Sequence, residues 1–419
     1  MDYQAPKGTK DVLPQNSYKW QYLEGTMHDI ARKYGFLEAR TPVFEHTELF
    51  LRGVGDTTDI VQKEMYTFLD KGERSITLKP EGTAGFVRMF IENGLFGGAQ
   101  PTKLYYINNP IFRYDRPQAG RLREHHQFGV EFFGSAHPGA DAECIALLTE
   151  LLNMLGCTDL SVLLNSIGCL NCRPQYQQAL KAYWETCLDE LCDTCKARRE
   201  ANPLRLLDCK SPRCAELRKD APVILNFMCD DCRAHFERLQ ALLGLLEIPF
   251  VVTPMLVRGL DYYTRTVFEV VSGRIGAQDS ICGGGRYDGL VEQLGGPPTP
   301  AVGFGLGMER LLLLLNQYGL AIGRPPHCDL YIASNGEAAW ERALLLASGL
   351  RKRGLCVETD HMGRSMKAQF RYADKLGAPN ILSIGEDELK NGRARIRRMS
   401  DGEQAETALS PDAIYQLIR

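Results

Sequence analysis

The fold prediction starts from residues 112–133, which read FRYDRPQAGRLREHHQFGVEFF. The second half of this stretch alternates with the period of two that a half-buried β-strand shows. One face of that strand would hold Phe128, Val130 and Phe132, and the opposite face would hold Gln127, Gly129 and Glu131. Residues 103–112 also have the composition of a strand. The sequence therefore predicts an antiparallel pair, 103–112 with 126–133, joined by a basic loop.

The loop between these strands is rich in arginine. Over residues 113–123 a single acid, Asp115, accompanies four arginines: Arg113, Arg116, Arg121 and Arg123. Guanidinium groups suit phosphate because they donate two parallel charge-assisted hydrogen bonds. The loop could therefore hold a triphosphate and touch the end of a nucleic acid. The alternative is a charged hairpin that is only solvated.

The polar face of the second strand is a candidate ligand site. Gln127 and Glu131 would lie on one side of it, and Glu81 could supply a facing carboxylate. Two acids and an amide around one pocket would suit a cationic ligand rich in hydrogen-bonding groups, such as an amino acid with an imidazole. An exposed sheet face is the alternative, but the neighbouring Phe132 and Phe133 argue against full exposure.

Two further motifs could contribute to a site. Residues 257–263, VRGLDYY, place two tyrosines beside Arg258, although paired tyrosines often pack in a core. Gly303, Gly305 and Gly307 alternate along a predicted strand, so one face carries no side chain and a flat ring or another backbone could approach it. Simple close packing is the alternative. Arg310 would follow in the first turn of a helix, within reach of phosphate.

These glycines do not form a known nucleotide-binding fingerprint. The spacing G-x-G-x-G lacks the acidic residue that a dinucleotide-binding fold places about 20 residues later, and no G-K-[ST] sequence is present. Both a dinucleotide-binding motif and a P-loop are therefore excluded.

Nine of the 14 cysteines lie between Cys169 and Cys232, in a segment of about 169–235 that interrupts the regular pattern like an insertion. They include four closely spaced pairs: Cys169 and Cys172, Cys192 and Cys195, Cys209 and Cys214, and Cys229 and Cys232. In a cytosolic chain such clustering favours metal binding or buried thiols over disulfides. Four pairs could close two tetrahedral zinc sites, and one site or none are the alternatives.

The composition and a segment rich in glycine and proline indicate a soluble protein of at least two domains. The 419 residues are 44% apolar and 24% charged with a net charge of −3, and no long apolar run predicts a membrane span. The N-terminus lacks a signal-peptide pattern, so the cytoplasm is the expected compartment. Gly-Arg-Pro-Pro at 323–326 predicts a linker, giving domains 1–325 and 326–419. Beyond it, alternating strands and helices predict a small α/β domain with a mostly parallel sheet.

Together these motifs resemble those of class II aminoacyl-tRNA synthetases and, within them, histidyl-tRNA synthetases. The three class motifs resemble residues 35–69, 112–131 and 301–311; the histidine-specific blocks resemble 121–131 and 258–263; and the anticodon-binding domain resembles 370–373 and 385–389. Residues 78–83 resemble the L-R-P-E-G-T stretch, with Lys79 in place of arginine. The resemblance implies an α+β catalytic domain on an antiparallel sheet with flanking helices, carrying the cysteine-rich insertion, and a C-terminal α/β anticodon-binding domain.

The resemblance also implies residue roles. Histidine would contact Glu81, Gly82, Thr83, Arg113, Gln127, Glu131, Arg258, Tyr262 and Tyr263. Arg258 and Arg113 would be catalytic, and ATP would be held by Arg113, Arg121 and Arg310. The acceptor end of tRNA would meet Arg116, Gln118 and Arg123.

The implied activity is that of a ligase that forms histidyl-adenylate and then histidyl-tRNA, releasing diphosphate and AMP. Its partners would be L-histidine, ATP with Mg2+, the tRNA for histidine and a second copy of the chain, with no membrane. One alternative is a non-catalytic, histidine-sensing regulatory paralogue of histidine biosynthesis. Another is a zinc-ribbon nucleic-acid-binding module on a degenerate enzyme.

Overall fold

The structure is a computed structural model that describes residues 3–55, 58–120, 122–272 and 280–419. The chain divides into two compact units, Met1–Gly323 and Arg324–Arg419. Within the described residues, no helix is long and apolar enough to cross a membrane.

The first unit contains eleven described strands. They are β1 (Leu37–Glu38), β2 (Phe44–His46), β3 (Tyr66–Leu69), β4 (Ser75–Leu78), β5 (Thr102–Phe112), β6 (Glu124–Phe133), β7 (Leu160–Ser166), β8 (Phe250–Val252), β9 (Thr264–Ser272), β10 (Ser280–Arg286) and β11 (Ala301–Gly307). Eight of them form one sheet in the order β1-β5-β6-β11-β10-β9-β7-β8, and β2, β4 and β3 form a small antiparallel sheet.

The predicted strand pair is confirmed. β5 and β6 pair antiparallel from Thr102 opposite Phe133 to Phe112 opposite Glu124, and the arginine loop joins them. The large sheet is antiparallel from β5 to β7, whereas the short edge strands β1 and β8 pair parallel with β5 and β7. A parallel pair needs a long crossover. Between β7 and β8 the cysteine-rich insertion is part of that crossover.

The first unit also contains ten described α-helices. They are α1 (Pro14–Lys33), α2 (Thr47–Val54), α3 (Thr83–Glu92), α4 (Pro138–Met154), α5 (Arg173–Thr186), α6 (Asp193–Arg198), α7 (Pro212–Leu217), α8 (Asp230–Leu245), α9 (Leu290–Gln293) and α10 (Met308–Gln317). One face of the large sheet packs against α1, α4, α8 and α10, and the predicted apolar face of β6, Phe128, Val130 and Phe132, lies in that core. The opposite face packs against α3 and α9 and carries the tyrosines described below.

A fully buried ion pair links this core to the sheet. Arg286 of β10 pairs with Asp141 of α4, and neither side chain has exposed area. Burial alone would raise the pKa of Asp141, but the facing guanidinium lowers it below its ordinary value. His235 of α8 lies 3.5 Å from the same carboxylate. The three elements are therefore fixed to one another by charge as well as by apolar packing.

The insertion has its own small core. Helices α5, α6 and α7 and several 3-10 turns surround buried Tyr176, Leu180 and Trp184 together with buried cysteines. Because α6 and α7 have only six residues each, they are too short to be stable without tertiary support.

The second unit alternates strands and helices as predicted, then departs from the prediction. Its elements are β12 (Leu330–Ser334), α11 (Glu337–Arg351), β13 (Val357–Thr359), α12 (Met366–Lys375), β14 (Asn380–Ile384), α13 (Glu386–Asn391), β15 (Arg393–Arg398), β16 (Gln404–Ala408) and α14 (Pro411–Ile418). β13, β12 and β14 are parallel, while β15 and β16 extend the sheet as an antiparallel hairpin. The sheet is therefore mixed rather than mostly parallel.

Candidate active site

Two carboxylates lie side by side on the second face of the large sheet. Thr83, the first residue of α3, contacts both: its hydroxyl donates to Glu131 Oε1 at 3.0 Å, and its amide donates to Glu81 Oε2 at 2.8 Å. The amide of Ala84 donates to the other oxygen of Glu81 at 2.7 Å. A carboxylate bound to amides at a helix N-terminus is held by both hydrogen bonds and the helix dipole. The α3 terminus therefore fixes Glu81 beside Glu131 of β6.

A group of tyrosine hydroxyls surrounds these acids. Tyr262 donates to Glu81 Oε2 at 3.3 Å, while Tyr106 donates to Glu131 Oε1 at 3.5 Å and Tyr287 donates to Glu131 Oε2. The rings of Tyr262 and Tyr263 lie 4.8 Å apart, and Tyr287 meets Tyr262 edge-on at 5.7 Å. The pocket thus combines aromatic walls with a polar floor.

Burial changes the charge of this floor. It raises the pKa of Glu131 to about 8, and hydrogen bonds from Tyr287 and Thr83 limit the rise. Burial also raises the pKa of Glu81, against the lowering effect of the Ala84 and Thr83 amides. At neutral pH Glu131 is therefore mainly a neutral acid that can donate as well as accept a hydrogen bond.

Arg258 lies in an irregular segment between β8 and β9. Its guanidinium pairs with Glu269 of β9 through Nη1. A side chain at Gly283 on β10 would overlap this guanidinium, so the glycine leaves the space that the arginine occupies. Glu269 is not among the residues predicted for the site, because a single acid in an apolar strand gives no sign of its partner.

Arg113 follows β5 directly and reaches the residues that lead to Glu81. Its Nε donates to the carbonyl of Pro80 at 2.7 Å, and its charge lowers the pKa of Glu81 against the effect of burial. Gln127 faces Gly305 on the neighbouring strand, two residues from the position where Glu131 faces Gly303. Gly82 lies against Tyr106. All of the candidate histidine-binding side chains thus lie on or beside one face of the sheet.

With this geometry established, the chain can be compared with known proteins. Residues 8–311 match the profile of the histidyl-tRNA synthetase family, and residues 329–416 match that of the anticodon-binding domain. The chain belongs to the histidyl-tRNA synthetase family. It is 56% identical over 415 residues to the histidine–tRNA ligase of Caldanaerobacter subterraneus subsp. tengcongensis, with 99% of each chain covered. It is 54% identical over 410 residues to that of Clostridium novyi, with 98% of this chain and 97% of the relative covered.

A solved structure gives the same result. The apo histidyl-tRNA synthetase of S. aureus superposes with a TM-score of 0.84 at 38% identity, with all of both chains covered. The predicted family, the class II fold and the ligase class are therefore confirmed. The full-length match to histidine–tRNA ligases supports a catalytic synthetase rather than the regulatory paralogue.

Residues of the family's arginine loop occupy different surroundings. Arg116 and Gln118 are exposed, and the Arg123 guanidinium lies 4.0 Å from the centre of the Tyr114 ring. Arg116 and Arg123 line a cleft of about 400 Å³ together with Lys7 and Lys63. The same cleft is also lined by Asp59, Glu64 and Asp115, so its cations exceed its carboxylates by only one.

Besides Arg113, two arginines were predicted to bind phosphate, Arg310 and Arg121. Arg310, in the first turn of α10, lies against Gly120 at the tip of the loop, where an added Cβ would come within 2.9 Å of its Cγ. Arg121 lies outside the described residues.

Lys79 is a buried residue for which the sequence predicted no role. Its side chain is 1% exposed, and its ammonium donates to Asn109 and lies 3.4 Å from the carbonyl of Thr41. Burial lowers its pKa to about 8, and the carboxylates of Glu45 and Glu81 oppose that effect. The buried ammonium of Lys79 therefore interacts electrostatically with the carboxylates of Glu45 and Glu81. Only its position two residues before Glu81 could have indicated this.

The eight paired cysteines form two separate groups. The outer cluster is Cys169, Cys172, Cys229 and Cys232, and the inner cluster is Cys192, Cys195, Cys209 and Cys214. Within each cluster all sulfur atoms lie within 4.8 Å of one another, and individual separations are 3.6, 3.8 and 3.9 Å. Four thiolates at about 2.3 Å from a tetrahedral zinc ion would be about 3.8 Å apart. The thiol geometry therefore fits two zinc sites with four cysteine ligands each.

Proposed function

We propose that this chain activates L-histidine with MgATP to form histidyl-adenylate and transfers the histidyl group to the 3′ end of the tRNA for histidine. The observation that supports this most strongly is the pocket in which Glu81 and Glu131 meet around Thr83 beneath the paired tyrosines. A neutral acid, an ionisable acid and several hydroxyls can match an imidazole and an α-amino group at once. The same proposal places the enzyme in the cytoplasm, where tRNA is charged.

In this proposal the pocket orients histidine from both ends. Glu81 and Thr83 bind the α-amino group, beside Gly82. Glu131, Gln127 and the two tyrosines, Tyr262 and Tyr263, contact the imidazole end. A buried site that hydrogen-bonds its substrate rejects analogues without those groups by roughly 10⁴–10⁵, so no editing site is required.

In the first step, a carboxylate oxygen of histidine attacks the α-phosphorus of ATP, and the bond to the bridging oxygen of diphosphate breaks. Arg113 bridges the carboxylate and the α-phosphate, and Arg258 stabilises the charge that accumulates on the phosphorus oxygens. Arg310 and Arg121 hold the outer phosphates. Mg2+ bound to the ATP phosphates would neutralise part of the same charge.

In the second step, the terminal ribose hydroxyl of tRNA attacks the carbonyl carbon of the mixed anhydride. The bond between this carbon and the phosphate oxygen breaks, AMP leaves, and the proton of the attacking hydroxyl passes to the AMP phosphate. Arg116, Gln118 and Arg123 on the loop bind the acceptor end, and the second unit binds the anticodon. No covalent enzyme intermediate is needed.

We further propose that the chain forms a homodimer through the small sheet and its surroundings. The small sheet exposes large apolar side chains: Phe44 is 52% exposed, Phe68 48% and Leu69 67%. Apolar side chains grouped on a surface commonly mark a protein interface. Sedimentation of the wild-type chain and a Phe44→Glu variant tests this: the wild type should sediment as a dimer and the variant as a monomer, and a monomeric wild type would exclude it.

We also propose that the two thiol clusters bind one structural zinc ion each. The four sulfur atoms of each cluster would hold the ion in a closed tetrahedral site. In the outer cluster the ends of the insertion would be joined, since Cys169 and Cys229 are 60 residues apart in sequence.

The deciding test is histidine-dependent exchange between ATP and diphosphate, with each of the other amino acids as controls. Exchange with histidine alone is expected. Arg113→Ala should remove it, whereas Arg32→Ala, which changes an exposed arginine paired with Asp29, should not. Histidine binding without any exchange would replace the proposal with the regulatory function.

A further inference from the structure

The segment that carries Arg258 has little regular structure of its own. Residues 253–263 connect β8 to β9 without helix or strand. Within the described residues, the backbone hydrogen bonds of this stretch include Leu256 to Thr253 and Asp261 to Val54. Its conformation must therefore depend on groups outside the segment.

Two arginines of the insertion supply such groups. Arg205 donates through Nη2 to the carbonyl of Gly259 at 2.5 Å and through Nη1 to the carbonyl of Arg258 at 3.4 Å. Arg173 donates through Nη2 to the carbonyl of Tyr263. The insertion thus binds the backbone at the proposed catalytic cation and at one of the two tyrosines of the histidine pocket.

A side chain of the segment is held by the insertion as well. Asp261 accepts from Asn202 Nδ2 at 3.1 Å and lies 3.4 Å from Arg205 Nη2. Arg205 is mainly buried, with a side-chain exposure of 12%. Charge-assisted hydrogen bonds in partly buried surroundings are stronger than exposed ones, so this contact can fix the segment in place.

Both arginines are next to cysteine clusters. Arg173 directly follows Cys172 of the outer cluster, and Arg205 precedes Cys209 of the inner cluster by four residues. Between Arg205 and Cys209, Leu206 and Leu207 are buried in the insertion core. The positions of the two guanidinium groups therefore depend on how firmly the sulfur clusters hold the insertion.

We propose that the two metal-loaded thiol clusters position Arg173 and Arg205, which in turn hold the 257–263 segment so that Arg258 meets the reacting phosphate. Metal content is thereby coupled to adenylation. This inference rests on the proposed function. Arg205 and Arg173 are positioning residues, since they act through the backbone of Arg258 and Tyr263 and not on the substrate.

The expected size of the effect follows from positioning. Displacement of a reacting group by about 1 Å costs on the order of 10²-fold in rate. Loss of Arg205 removes the hydrogen bonds to two carbonyls and one ion pair, while Glu269 still binds the Arg258 guanidinium. We therefore expect Arg205→Ala to lower kcat for histidine-dependent exchange by roughly 10- to 100-fold, with the KM for ATP changed by less than about threefold.

The experiment compares Arg205→Ala and Arg205→Lys with Arg213→Ala in the full chain. Arg213 pairs with Glu190 and Glu216 within the insertion and is a matched control. Three quantities are measured: zinc per chain, kcat and KM for exchange, and hydrogen exchange of the amides in residues 257–263. Arg205→Ala should retain two zinc ions per chain, show a lower kcat, and show faster hydrogen exchange at the amides of residues 257–263. Arg205→Lys should recover part of kcat, and Arg213→Ala should match the wild type.

A second arm treats the wild type and Arg205→Ala with a zinc chelator. If the two clusters act through Arg205, chelation should reduce the wild-type kcat and increase amide exchange at 257–263. The kcat of Arg205→Ala should fall much less on chelation than the wild-type kcat does. Four results would each overturn the coupling. They are a chelation effect on kcat as large in the variant as in the wild type, amide exchange at 257–263 that chelation leaves unchanged, a purified chain without zinc, and a kcat of Arg205→Ala equal to that of the wild type. In all of these cases, histidine-dependent exchange between ATP and diphosphate by the wild type would still support the proposed function. If the wild type shows no such exchange, both the proposed function and this coupling are excluded.

Discussion

Replacement of Glu131 by glutamine tests whether the proton that this side chain carries near neutral pH takes part in histidine binding. Glu131 is 1% exposed, and burial raises its pKa from 4.5 to about 8. At pH 7 a group with that pKa is about nine-tenths protonated. Glutamine resembles the protonated form in size and in its ability to donate a hydrogen bond, so Glu131→Gln should fold normally and keep the contacts with Thr83 and Tyr287 in modified form.

The magnitude follows from shared proton binding. In the complex, imidazole and Glu131 share one titratable proton. This proton lies either on Glu131 beside a neutral imidazole or on the imidazole beside an ionised Glu131, so both arrangements depend on pH in the same way. Above a pH of about 8 the free enzyme loses that proton, so productive binding should fall tenfold per pH unit. Glutamine cannot lose it. Below that pH the substitution should cost about tenfold in kcat/KM for histidine, the value of about one hydrogen bond.

The assay is histidine-dependent exchange between ATP and diphosphate, measured for the wild type and Glu131→Gln from a pH of about 6 to about 9.5. The ratio of the wild-type kcat/KM to that of the variant removes the titrations of histidine and ATP, because both enzymes share them. This ratio should be constant up to about pH 7 and should fall with a midpoint near pH 8. A ratio that stays flat, or that rises above pH 7, would show that histidine binding does not require this proton and would refute the reasoning.

Three more substitutions have defined expectations. Arg258→Ala should lower the single-turnover adenylation rate about 10²–10³-fold while the histidine KM stays within about threefold; a change in KM alone would contradict its catalytic role. Arg286→Ala should destabilise the first unit by about 3–5 kcal/mol in urea denaturation, because Asp141 stays buried without its cation, whereas exposed Arg213→Ala should leave the transition unchanged. Cys169→Ser should reduce bound zinc from two ions to one per chain, and an unchanged zinc content would exclude the outer site.

Much of the fold could be predicted because its signals are local. The alternation around Val130 predicts an apolar face and a polar face, and both are observed, although the polar face is buried as well, with Glu131 1% exposed. Helix α1 begins at Pro14, since proline is favoured in the first helical turn. The β15–β16 hairpin was not predicted, because its first strand, RARIRR, buries only Ala394 and Ile396 and has a largely charged surface.

The site was predicted less completely because its contacts are not local. The residue pattern and the family resemblance both singled out Glu81, Glu131 and the tyrosine pair, yet the hydroxyls of Tyr106 and Tyr287 complete the same pocket. Both residues come from stretches whose sequence is consistent with ordinary sheet or core positions. Only the register of neighbouring strands places them beside Glu131, and a single sequence does not contain that register.

The two cysteine clusters also show which features the sequence spacing predicts and which depend on the fold. The spacing of the pairs predicted tetrathiolate sites but left open which pairs combine. The structure combines the first pair with the last and the two middle pairs with each other, so one cluster is nested inside the other. A nested arrangement fixes the two ends of the insertion beside the sheet, and its inner loop can then carry Arg205 to the segment at Arg258.

The alternating glycines of β11 show how a correct pattern can have more than one physical cause. The sequence pattern predicts a bare strand face with space for a flat ring or another backbone. In the structure, Gly303 faces the carboxylate of Glu131, and Gly305 faces the amide of Gln127. On the next strand, Gly283 leaves space for the guanidinium of Arg258. These glycines therefore accommodate the polar side chains of the pocket itself.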